Sequence, residues 1–240
     1  MKNNIYVCLT PSYFDCYNNQ DAIVVVVDLL RATTVISTAF AYGVKEVKPV
    51  ISLEDALKYK NKEGYIVAAE RNTLIVKGFN FGNSPYHYYK NKNILGKKLV
   101  ITTTNGTKAI NISKDNLVIT SSYINIIATA NFLLESDKDV IILCSGWKNM
   151  YNMEDALFSA SLANILLESN KFKTNCDALF SSQILLKSSN SDLYNFLDKS
   201  AYRKRNNSNN LLKDTKFCLN PPISSNVIPT LKNDVLVPHI

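Results

Sequence analysis

Hydrophobic positions along this chain fall alternately into short unbroken runs and into stripes spaced three and four residues apart. Ala22–Val27 is a continuous, β-branched run, which predicts a strand covered on both faces. Asp28 ends it, and Ala32, Val35, Ile36, Ala39 and Phe40 follow with helical spacing as far as Gly43. Val44–Val50 alternates as a strand does, and the capping box from Ser52 to Asp55 opens a helix reaching Tyr59. Tyr65–Ala69 is a further strand, ending at Glu70 and Arg71. From Asn72 to Lys92 the periodicity lapses, and GFNFGNSP at Gly78–Pro85 marks a loop.

Leu99–Thr103, Leu117–Ser121 and Val140–Cys144 read as strands, with a helical stripe from Ile126 to Leu134 between the last two. Asn152 caps a helix whose apolar face holds Ala156, Leu157, Ala160, Ala163 and Leu167. Beyond it the pattern thins to a helix near Asp192–Lys199 and a strand near Asp234–Val237. The alternation predicts a three-layer α/β/α fold on a mainly parallel or mixed sheet. Residues 1–240 form one domain or two closely packed lobes on this reading. Asp28, Arg31, Glu70, Arg71, Thr103–Gly106 and Ser145–Trp147 all stand just past strands. In open α/β sheets the C-terminal ends of the strands are where ligands bind.

Composition narrows the class. The chain has 240 residues, 46% of them hydrophobic, which excludes a disordered or collagen-like sequence. No apolar run is long enough to span a membrane, and the first residues carry no secretory signal. Cys8, Cys16, Cys144, Cys176 and Cys218 are scattered without CxxC spacing, as reduced thiols of a cytoplasmic protein would be. The net charge of +7 is uneven: His87–Lys98 has four lysines and no acid, and Lys199–Lys216 has six basic residues and one acid. Both stretches read as solvated surface, and Tyr202 alone is thin support for a nucleic-acid platform. Arg31 and Arg71 stand apart from those stretches in apolar surroundings.

Several phosphate chemistries are absent. The seven glycines form no P-loop, and the residue six past Cys144 is Met150 where a cysteine phosphatase needs arginine. Leu30 stands where a haloacid-dehalogenase site needs a second aspartate, and Leu143 stands where GxSxG needs glycine. His87 and His239 are the only histidines, too few for a histidine-based metal site, and His87 reads as an ordinary surface residue. Carboxylates, hydroxyls, amides and two arginines remain, which suits Mg²⁺ and an anionic substrate.

Each feature also has a plainer reading. Asp28 reads equally as a helix N-cap, and Glu70-Arg71 as an exposed pair ending a strand. Thr103-Thr104-Asn105-Gly106 reads by itself as a hairpin turn in preference to an anion loop. Glu154 and Asp155 lie in a first helical turn, where acids complement the dipole in any protein.

Four segments together resemble the 2-phosphosulfolactate phosphatase family: VVVDLLRATT (Val25–Thr34), AAERNTLIVKGFNFGNSP (Ala68–Pro85), VITTTNGTKAI (Val100–Ile110) and MEDAL (Met153–Leu157). The likeness covers Ile23–Glu168 and continues more weakly to Val227–Pro229. It implies a Mg²⁺-dependent phosphatase converting (2R)-2-phospho-3-sulfolactate to sulfolactate and phosphate, a step of coenzyme M biosynthesis in organisms that make that cofactor. Asp28, Arg31, Glu70, Arg71, Asn83, Ser84, Thr103, Thr104, Asn105, Gly106, Glu154 and Asp155 match motif positions. Thr73, Asn80 and Lys108 depart from it, standing where glycine, aspartate and arginine are usual. The resemblance also turns Thr103–Gly106 into a lead-in to a helix near Thr107.

On this basis Mg²⁺ is held by Asp28 with one or more of Glu70, Glu154 and Asp155. Arg31 and Arg71 complete the catalytic set, and a metal-activated water is preferred to Asp28 as nucleophile. Asn83, Ser84, Thr103, Thr104, Asn105, Gly106, Lys108, Ser145 and Gly146 orient the substrate, with Lys108 at its second anion. The partner expected is thus a small polyanion, not nucleic acid or membrane, and a homo-oligomer is left open. A phosphatase of another small phosphorylated acid, or a non-catalytic anion binder, is the alternative.

Overall fold

A computed structural model describes every residue except Met1, Asn18, Asn72, Thr73, Asn207 and Ile240, so the Thr73 departure lies outside the described residues. The first half of the chain runs β1 (Asn3–Cys8), β2 (Ile23–Val27), α1 (Ala32–Ala41), β3 (Glu46–Pro49), α2 (Leu53–Leu57), β4 (Tyr65–Arg71), β5 (Leu74–Ile75), β6 (Lys98–Thr102) and α3 (Gly106–Ile112). Then come β7 (Leu117–Thr120), α4 (Ile126–Leu134), β8 (Val140–Cys144), α5 (Met153–Glu168), β9 (Phe172–Lys173) and α6 (Asp177–Ser188). The last part is helical, with α7 (Leu193–Phe196), α8 (Ala201–Arg205) and α9 (Asn209–Leu219), before β10 (Ile228–Lys232) and β11 (Val235–His239). The predicted central strands and helices are present. The loop expected over Asn72–Lys92 contains the short β5, and β1, β9, α6, α8, α9 and β10 are additions.

All strands join one mixed sheet in the order β5-β4-β6-β3-β11-β10-β7-β2-β8-β1-β9. Its two sets of parallel strands cover both faces with apolar side chains. In β2, Ile23, Val25 and Val27 pack with Leu157, Phe158 and Leu162 of α5, while Val24 and Val26 pack with Val35, Ile36 and Ala39 of α1. An unbroken valine run therefore serves two cores at once, each fully buried side chain contributing about 1.5–3 kcal/mol. Ala56 of α2 covers the outer side of Val67 and Val100, completing three layers. Among the described residues no helix is long and apolar enough to cross a membrane, and the five cysteines are unpaired.

The β10–β11 hairpin sits in mid-sheet and separates the parallel sets. β11 runs antiparallel to β3, β10 antiparallel to β11, and β10 antiparallel to β7. Three reversals leave β4, β6 and β3 pointing against β7, β2, β8 and β1 along the ladder. Their carboxyl ends nevertheless meet, since Asp28 past β2, Glu70 of β4, Thr103 past β6 and Gly146 past β8 line one cleft. Ala32–Phe40 of α1 is buried throughout, packed on β7, β10 and α3.

Two sequence readings are corrected here. Thr103–Gly106 does not make a hairpin; α3 starts at Gly106, with Asn105 as its N-cap. The hairpin preference of Asn-Gly yields because a side chain on Gly106 would lie 2.8 Å from both Ala32 Cβ and Asp28 Oδ2, so only glycine admits this close approach. Lys199–Lys216 is not merely solvated surface: Tyr202, Arg203, Asp214 and Thr215 are buried where α8 and α9 pack onto the domain.

Candidate active site

The cleft grows from the ends of β2, β4, β6 and β8. Asp28, Arg31, Glu70 and Glu154 line its base, joined by Asn83 and Thr103. All six side chains are buried. Asp28 ends β2 because its carboxylate is needed by the next element: Oδ1 accepts the Ala32 N–H at 3.2 Å, and its backbone oxygen accepts Thr33 N–H at 2.9 Å. It thus serves the first turn of α1, although Arg31 occupies the N-cap position. The Gly106 N–H reaches the same carboxylate from α3.

Burial and the nearby Glu70 charge push the Asp28 carboxyl up to about 6, against the pull of those N–H groups. Burial and the charge of Asp28 push Glu154 up to about 7, with Arg205 acting in the opposite direction. The exposed-pair reading of Glu70-Arg71 therefore fails for Glu70, which is buried and feels Asp28. Asp155 is buried just beneath. Its Oδ1 accepts Leu29 N–H at 2.8 Å; its Oδ2 accepts Asn152 Nδ2 at 2.9 Å and Gly146 N–H at 3.2 Å. One carboxylate thereby ties the β2 loop to the β8 loop.

Arg31 reaches the base from α1's entry and pairs with Asp214 of α9, 183 residues away. Asp214 also accepts the Ser84 hydroxyl at 2.7 Å. The guanidinium is therefore held on one side by the C-terminal helices.

The sequence profile of the 2-phosphosulpholactate phosphatase family matches residues 8–234. The chain belongs to that family. Probable 2-phosphosulfolactate phosphatases of Thermotoga petrophila and Clostridium novyi are each 36% identical to it, over 213 and 204 residues. The alignments cover 89% of this chain and 90% of the Thermotoga protein, and 83% and 85% for the Clostridium pair. A third, from Caldanaerobacter subterraneus subsp. tengcongensis, is 33% identical over 217 residues, 89% of each chain. The family is one of phosphoric monoester hydrolases by its name, and the cleft is the place in this member to look for its chemistry.

The motif residues distribute unevenly around that cleft. Thr104, Asn105 and Gly146 line it with the base residues. Thr103 Oγ1 accepts the Thr107 N–H at 3.3 Å, and Asn105 Oδ1 accepts the Lys148 N–H at 3.1 Å. Ser145 is buried at the end of β8 with a hydroxyl lacking a partner among the described residues. Arg71 faces away: its guanidinium donates to Glu70 O at 2.6 Å, Thr102 Oγ1 at 3.1 Å and Ile51 O at 3.3 Å. Lys108 is exposed, and its Nζ donates to Asn149 Oδ1 at 2.7 Å.

Other lining residues escaped the sequence reading: Lys148, Asn152, Tyr202, Arg205 and Asn206, while Trp147 stands in it past a strand end without a role. A single tryptophan and a single acid within a basic stretch were the available signals, at Trp147 and Asp214. His87 is half-buried and accepts the Gly82 N–H at 3.0 Å, so it is a structural residue of its loop rather than loose surface.

Proposed function

We propose that this chain is a Mg²⁺-dependent phosphatase that hydrolyses (2R)-2-phospho-3-sulfolactate to (2R)-3-sulfolactate and phosphate. The observation that carries the reading is the convergence, in a member of this family, of Asp28, Glu70, Glu154 and Arg31 in one cleft.

The donor set fits Mg²⁺. It offers hard oxygens only, including Asn83 Oδ1, a buried carbonyl oxygen in the cleft wall without a hydrogen-bond partner among the described residues. Among those residues no three carboxylate, histidine or thiol groups close on one point. Mg²⁺ commonly uses one or two carboxylates and leaves its other positions to water and substrate. Asp28, which feels both Glu70 and Glu154, would hold the ion together with one of them. Asp155, with both oxygens engaged by N–H groups, would position the loops instead. When bound, the ion would supply positive charge to the phosphoryl oxygens and lower the pKa of attacking water.

The remaining steps fall to side chains. Arg31 would meet charge on the equatorial phosphoryl oxygens, its fork kept in place by Asp214. Thr103, Thr104 and Asn105 would orient the ester. The leaving alkoxide needs a proton, supplied by whichever of Glu70 and Glu154 is not engaged with the ion.

Phosphate release from a panel of small phosphorylated acids, with Mg²⁺ and with EDTA, tests the reading. The expected result is Mg²⁺-dependent release that is fastest with the sulfonated ester. Faster turnover of another phosphorylated acid moves the substrate; binding without release leaves an anion-binding protein; release in EDTA removes the metal.

A further inference from the structure

We propose that Arg205 is the residue by which the cleft recognises the sulfonate of its substrate. The inference rests on the phosphatase reading above and assigns one substrate group to one side chain.

The four arginines of the chain are engaged in four different ways. Arg31 pairs with Asp214, Arg203 pairs with Asp198 at 3.0 Å, and Arg71 donates to backbone carbonyls. Arg205 ends α8 and lies over Trp147, its Cζ 3.7 Å from the indole centroid. Among the described residues it has no carboxylate within ion-pair distance. A guanidinium stacked on an aromatic face is fixed in orientation, while its in-plane N–H donors remain available to an anion. Lys148 Nζ sits 4.8 Å from the same centroid, so two cations share one indole at the mouth of the cleft.

The backbone bearing that indole is held by a tight turn. Trp147 and Met150 exchange backbone hydrogen bonds at 2.9 and 3.0 Å around a two-residue turn. Lys148 and Asn149 take positive φ in it, and Asn105 Oδ1 binds the Lys148 N–H. Gly146 enters at φ 60°, where a side chain would strike Met150 O at 2.3 Å. The backbone that carries the indole is thus set by the turn itself.

Its position matches the connectivity of the substrate. Phosphate and carboxylate share one carbon, whereas the sulfonate stands one bond further out. With the phosphate among the buried carboxylates and Arg31, the outlying group is the one that reaches the exposed rim. A sulfonate stays ionised at any physiological pH, and a guanidinium is the less hydrated of the two cationic side chains, so the pair loses little on desolvation. Lys108, the sequence-based candidate for this anion, points to Asn149 instead.

The decisive measurement is the ratio of kcat/KM for 2-phospho-3-sulfolactate to that for 2-phospholactate, which lacks only the sulfonate. Arg205→Ala is expected to lower this ratio roughly 10- to 100-fold, the worth of one charge-assisted hydrogen-bonded contact, and mainly through KM. Arg205→Lys is expected to recover part of it. An unchanged ratio in a folded Arg205→Ala protein overturns the proposal, as does an equal loss with both esters. If the wild type hydrolyses neither ester, the phosphatase reading fails by itself. The sulfonate site is then decided by fluorescence of Trp147, the sole tryptophan. A response to sulfolactate but not lactate, abolished in Arg205→Ala, upholds the site; equal responses or none reject it.

Discussion

The base of the cleft and its rim hold charge in opposite ways. At the base, Asp28, Glu70, Glu154 and Arg31 are buried, with backbone N–H groups on Asp28 and Asp214 on Arg31. At the rim, Arg205 and Lys148 are exposed and rest on the face of Trp147. Desolvated charges are costly to place and costly to orphan, so removing one at the base should disturb fold and chemistry together. A solvated charge changes little except what it touches. On the proposed reading, the difference separates a chemical half of the site, built by strand ends, from a selective half, built by turns.

That contrast can be broken at four points. Asp28→Asn should cut phosphate release by on the order of 10²–10³, since the proposed reaction needs that charge at the reacting group. A rate within tenfold of wild type would remove Asp28 from the chemistry. Asp214→Ala deletes the carboxylate that Arg31 and Ser84 share, and urea unfolding should show a loss of about 3–5 kcal/mol. A loss below about 1 kcal/mol would mean this pair is screened like the rim.

Arg71 sits at the edge of the contrast, beside Glu70 in sequence but turned towards carbonyls. Arg71→Ala should cost about 1.5–3 kcal/mol of stability with less than a tenfold effect on phosphate release. A loss of 10² in kcat, with stability intact, would restore it to the catalytic set.

The smallest effect concerns pH. Burial holds the His87 imidazole below its ordinary value, so the unfolded chain binds its proton first as pH falls. The contribution to stability is present above about pH 6.5 and is lost as pH drops through the folded-state value. His87→Gln, which keeps an acceptor for the Gly82 N–H, should flatten this acid limb in thermal melts. An identical pH profile would place the acid sensitivity elsewhere.

How far each feature was legible follows from the range of the interaction behind it. The β2 run and the Ser52 and Asn152 caps involve neighbours in sequence, and they appear where the pattern puts them. Asn105-Gly106 is also a local signal, but its meaning is not local. It opens α3 because Asp28 and Ala32 approach Gly106 from the junction of β2 and α1. Two-residue turns with both central residues at positive φ fall at Lys148-Asn149, Asn190-Ser191 and Asn233-Asp234, where no glycine marks them. Arg31 with Asp214, and Arg205 with Trp147, join segments whose sequence separation no period could report.

The sequence by itself determined that strands and helices alternate, that polar residues gather past strand ends, and which family the motifs resemble. These are properties of short windows, where side-chain shape and spacing act directly on the backbone. Only the tertiary structure decided that two oppositely directed strand sets share one cleft, that a basic C-terminal segment supplies its wall, and that Arg71 turns outward. Those outcomes depend on how distant segments pack together, where burial and pairing with remote partners outweigh local preference.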